Sequence, residues 1–68
     1  MARQPQPFPT FAPPIGSLWA SNMNPDAIKV VTGHIENNMY FCVEYIRLDT
    51  NTKEFEPIGQ FEHHHNRL

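Results

Sequence analysis

Sixty-eight residues with a net charge of −2 and a pI near 6.0 make one small domain at most. The acidic balance argues against a protein that grips nucleic acid by neutralising phosphates, and against a polybasic hold on a membrane surface. No catalytic constellation is recognisable, which predicts a binding protein and not an enzyme. A hydrophobic content of 40%, with five Phe, two Tyr and one Trp, predicts that most of the chain folds.

Residues 1–15 read as an extended N-terminal arm. Five of the seven prolines fall there (Pro5, Pro7, Pro9, Pro13 and Pro14), interleaved with Phe8, Phe11 and Ile15. Proline at this density removes backbone donors and fixes φ, so the arm has no hydrogen-bond ladder of its own. Solvated linkers favour Gly, Ser and charge over bulky apolar groups. Phe8 and Phe11, with Pro13 and Pro14, are therefore candidate anchors on a partner protein. Two buried phenylalanines would contribute roughly 3 to 6 kcal/mol before ordering costs. Deleting residues 1–14 is expected to weaken association and leave the rest folded. The start Met1-Ala2-Arg3-Gln4-Pro5 leads into no apolar run, which predicts no secretory signal, and no stretch approaches the roughly 20 apolar residues of a membrane span.

Residues 16–61 read as an all-β domain. Gly16 to Ala20 is a first short strand, and Ser21 to Asp26 is a loop by its Asn, Pro and Asp content. From Ala27 the pattern is rich in Val, Ile, Thr and aromatics on both sides of Asn37-Asn38, the expected two-residue hairpin loop. That loop sets Glu36 against Met39, Thr32 against Val43 and Val30 against Tyr45. One face then collects Ile28, Val30, Thr32 and His34 with Phe41, Val43 and Tyr45, the expected core. The other collects Lys29, Val31, Gly33 and Ile35 with Tyr40, Cys42, Glu44 and Ile46, too apolar for free exposure. Gly33 permits a bend or bulge. A polar turn from Asp49 to Glu54 precedes a last strand, Phe55 to Ile58, confined to an edge by Pro57. Gly59-Gln60-Phe61 closes the domain with a turn, Phe61 plugs its end, and residues 62–68 are a polar, His-containing tail.

Gly16 with Trp19, Val30 with Gly33, Val43 with Tyr45 and Arg47, then Phe55, Pro57 and Phe61 follow an order of landmarks that resembles the small SH3-like β-barrel proteins encoded by bacteriophages. The resemblance covers residues 16–61. It implies a partly open barrel or antiparallel meander of four to five short strands, acting as a compact binding module in the host cytoplasm or the virion. The Ser21–Asp26 loop lacks the basic residues often found there in that group, which weakens a nucleic-acid role.

The remaining chemistry-bearing residues read as structural. Three adjacent histidines, His63 to His65, cannot all point at one ion from a regular strand, and a zinc site needs about four ligands. No metal or other cofactor is expected. Cys42 stands alone, so no intrachain disulfide forms, and the expected pairing puts it opposite Gly33, away from His34. Trp19 and Phe41 are expected in the core. Tyr40, Ile35 and Ile46, on the mixed face, join the arm as candidate partner contacts. The expected function is therefore non-enzymatic protein binding, to another protein or to a second copy of the chain. The alternative is a barrel that stacks single-stranded nucleic acid on Tyr40 or Trp19.

Overall fold

The computed structural model describes residues 11–68; the anchor Phe8 and the rest of residues 1–10 lie outside them. The chain forms β1 (Leu18–Ser21), β2 (Ile28–Asn37), β3 (Tyr40–Arg47), β4 (Thr52–Pro57), a short helix α1 (Ile58–His64) and β5 (His65–Arg67). All pairings are antiparallel, in one five-stranded sheet of order β4-β3-β2-β1-β5 that does not close on itself. The small all-β expectation holds at this level.

The central hairpin shows why register matters. Its loop is Asn38-Met39, one residue later than expected, with Asn37 opposite Tyr40. Both loop residues have positive φ (47° and 70°), as a tight two-residue hairpin turn demands. Between Val31 and Gly33 the ladder skips, and Thr32 is the extra residue. Its hydroxyl donates to the Glu44 carbonyl (3.3 Å) or to Glu44 Oε1 (3.2 Å). Side chains alternate between faces along a strand, so one bulged residue exchanges the faces of everything before it. Beyond the bulge His34 faces inward as expected, but opposite Val43, where Thr32 is expected; before it Val31, not Val30, lies opposite Tyr45 on the core side. Lys29 also moves inward, and Ile28 and Val30 move out.

The core consists of Ala12, Trp19, Val31, Val43, Tyr45, Ile58 and Phe61, with Phe41 packed against it. Phe61 is fully buried at its centre. Trp19 meets its ring edge-on at a centroid distance of 5.2 Å, Tyr45 lies at 5.2 Å, and His65 stacks on it at 4.3 Å. Ile58 and Phe61 are three residues apart on α1, so both reach the core from one side of the helix. The expected polar tail is thus corrected. Residues 62–64 finish the helix, and 65–67 pair with β1, Trp19 against Arg67 and Ser21 against His65. The last hairpin is also longer than expected, with β4 beginning at Thr52.

The leading segment is tied to the body from residue 12. Ala12 and Pro13 are buried in the core. His34 Nε2 donates to the Pro13 carbonyl at 2.6 Å. The Pro14 carbonyl accepts from Ser17 N (3.0 Å) and Ser17 Oγ (2.5 Å), and Ser17 Oγ accepts from the buried indole of Trp19 at 2.9 Å. Gly16, at φ +91°, turns the strap so that its amide reaches the Val31 carbonyl at 2.7 Å. A boundary at residue 15 therefore cuts through this packing.

Candidate functional site

Two arrangements stand out: a polar cluster packed against the core and an apolar surface on the opposite side of the sheet.

The cluster forms where β2, β3, β4 and β5 bring long polar side chains over Phe61. Tyr45 Oη lies 3.1 Å from Glu54 Oε2 and 3.2 Å from Glu56 Oε1, two carboxylates placed on one face by their i,i+2 spacing on β4. Burial first, then the Glu56 charge and the Glu54 hydrogen bond, hold the phenol far above its usual range. Lys29 Nζ lies 5.0 Å from the Tyr45 ring centroid, within cation–π range. It also lies 2.7 Å from His65 Nε2. The other ring nitrogen, Nδ1, lies 2.8 Å from the Phe61 carbonyl. A carbonyl only accepts, so Nδ1 carries the proton and Nε2 accepts from Lys29: the ring is neutral. Burial is the main cause that lowers the His65 pKa below its ordinary value. Among the described residues, every buried side-chain polar atom has a partner, no group of histidine, cysteine and carboxylate side chains could hold a metal ion, and no cavity opens. The cluster meets its own hydrogen-bonding needs and offers no visible seat for a substrate.

The surface is built from the outward-facing residues of the sheet, among them Val30, which the bulge turns outward. Leu18 pairs with Val30, Val30 with Ile46, and Ile46 with Lys53, so one row crosses four strands. Leu68 extends it, since its amide donates to the Leu18 carbonyl at 2.9 Å. A second row runs Gly33, Glu44, Phe55, and a third Ile35, Cys42, Pro57. Leu18 is 43% exposed, Phe55 55% and Leu68 68%. The charges in these rows, Lys53 and Glu44, lie 3.4 Å apart and neutralise each other. Cys42 is buried within the third row, and burial raises its thiol pKa, so it is not an activated nucleophile.

The expected contact residues fall into separate groups. Ile46 and Ile35 lie half-buried in the first and third rows, and Tyr40, 64% exposed, stands near the hairpin end of the same face. Phe11 and Pro14 are exposed at the strap, whereas Pro13 is inside the protein's own core and presents no side chain to a partner. Leu18, Val30, Phe55 and Leu68 escaped the sequence reading. Trp19 inward puts Leu18 outward, but nothing in the sequence marks Leu18 as a contact, and Val30 faces outward only with the bulge in place. Trp19, buried against Phe61, is not available to stack a base.

No protein family, no curated protein and no solved structure matches the chain. No helix of the described residues is long and apolar enough to cross a membrane.

Proposed function

We propose that this chain is a non-enzymatic protein-binding module that uses the outer face of its sheet, around Leu18, Val30 and Ile46, as its contact surface. The observation that carries this reading is a row of apolar side chains across three strands, Leu18, Val30 and Ile46, extended by Leu68, exposed at Leu18 and Leu68 and bordered by charges that already pair with each other. Exposed apolar surface of this continuity is characteristic of interaction sites. The partner surface is apolar and uncharged, because a charged one would have to break the Lys53–Glu44 pair or go unpaired itself. Phe11, exposed where the strap leaves the body, adds a second contact, and Phe8 precedes it in sequence.

The pairing of β1 with both β2 and β5, with a short helix before the last strand, supports an SH3-like architecture. With the resemblance of residues 16–61, it favours a phage-type accessory component of a larger assembly, or an inhibitor of a host complex, acting in the host cytoplasm or the virion. The alternative, a single-strand nucleic-acid binder, has less behind it. Trp19 is buried, Lys29 is held over Tyr45, and Arg47 and Lys53 pair with Asp49 and Glu44.

Affinity purification with the full chain, a chain starting at residue 11, and the full-length Ile46→Lys variant tests the reading. The same polypeptide should be retained by the first, reduced with the second and lost with the third. Equal recovery by all three removes both surfaces from the interface, and recovery of single-stranded nucleic acid in place of protein supports the alternative.

A further inference from the structure

We propose that β5 is a latch held shut by the neutral imidazole of His65, and that protonation of that ring releases the strand from β1. His65 is 4% exposed and is the one residue of β5 that enters the core. It caps α1 by donating from Nδ1 to the Phe61 carbonyl, stacks on the Phe61 ring and accepts from Lys29. The rest of β5 is short and exposed: Asn66 and Arg67 pair with β1, and Asn66 Nδ2 donates to Asn22 Oδ1 at the surface.

A proton arriving from solvent must go to Nε2, since Nδ1 already carries one. The acceptor for Lys29 is then lost, and two cations stand at 2.7 Å in a part-buried site. The groups around the ring do not offset this. Lys29 from β2 and His64 from α1 oppose the charge; Glu56 from β4 favours it but stands 3.9 Å from Nδ1, on the wrong side of the ring, with its Oε1 also facing Tyr45. Tyr45 from β3 is held neutral with its hydroxyl turned to Glu54 and Glu56. The least costly response is to move the ring out. That breaks the bonds from Leu68 N to Leu18 O and from Asn22 N to His64 O, and leaves β1 as an open edge able to accept another strand.

Amide hydrogen exchange of the full chain, corrected for intrinsic rates, tests this between about pH 7.5 and about pH 5. Protection of the Leu68 and Asn22 amides should fall on the order of tenfold per pH unit below the transition, while the β2–β3 hairpin keeps its protection. His65→Gln, which cannot take up a proton, should lack the fall, and Lys29→Met should reduce it. Should His65→Gln not fold, the ring itself decides: nitrogen NMR of the wild type should find His65 neutral with the proton on Nδ1 at pH 7. A charged ring at pH 7, an equal fall in every strand, no fall at all, or the same fall in a folded His65→Gln variant would each overturn the latch.

Discussion

Leu18 and Val30 face each other across the β1–β2 ladder on the side of the sheet that points away from Phe61, while their neighbours Trp19 and Val31 are buried beneath. Two adjacent residues on each strand therefore have opposite duties, one for the fold and one for the surface.

This separates stability from association. Leu18→Glu should shift stability by no more than about 1 kcal/mol, because the side chain is already 43% exposed, and should weaken partner binding at least tenfold. Val31→Glu should unfold the chain, because it buries an unpaired charge in the core. Thermal melts alongside binding titrations check both. Loss of folding in the Leu18 variant would mean that the outer face is structural.

Phe61 joins α1 to the sheet and stacks on His65. Phe61→Ala should cost about 3 to 5 kcal/mol, enough to consume most of the stability of a domain this small, as read from denaturant unfolding. A cost below about 1 kcal/mol would contradict its central place in the packing.

The strap sets a limit on truncation. A chain starting at residue 11 keeps Ala12 and Pro13 in the core, and with them the Pro13 carbonyl that accepts from His34. One starting at residue 15 loses both, and the acceptor of His34, and should be less stable by roughly 2 to 3 kcal/mol. Removing residues 1–14 is therefore not the neutral truncation that the proline content suggests. Ser17→Ala should also destabilise by about 1 to 3 kcal/mol, since it leaves the Trp19 indole N–H unpaired.

Stability should fall on both sides of a neutral plateau. The pKa of His65 is lowered in the folded chain, so below its ordinary value of 6.5 the unfolded chain binds more protons and stability declines as pH falls through the folded value. That of Tyr45 is raised, so above its ordinary value of 10.0 the unfolded chain loses a proton that the folded chain keeps, and stability declines as pH rises. Urea midpoints across pH read out both limbs. His65→Gln should flatten the acid limb and Tyr45→Phe the alkaline one.

The sequence carries the strand content because Val, Ile and aromatics dominate from Ala27 to Leu48, and it carries the core face of β3 because Phe41, Val43 and Tyr45 alternate cleanly. It does not carry the phase of β2. Asn37-Asn38 and Asn38-Met39 are both plausible turns, and nothing in Val31-Thr32-Gly33 announces which residue bulges. The helix is hidden because two apolar residues, Ile58 and Phe61, in seven positions make no visible period. β5 is hidden because one buried histidine among polar neighbours looks like a tail. Ile35, Ile46 and Tyr40 could be placed on a common face since they lie beyond the bulge or on β3, whereas the outward face of Val30 needed the true register.

Methyl NMR of the chain in complex with the partner recovered by affinity purification tests the central proposal most directly. Methyl groups of Leu18, Val30, Ile46 and Leu68 should shift and lose solvent access on binding, while those of Val31, Val43 and Ile58 stay in place. Changes confined to other surfaces, with the Leu18–Val30–Ile46 row unaltered, would contradict it.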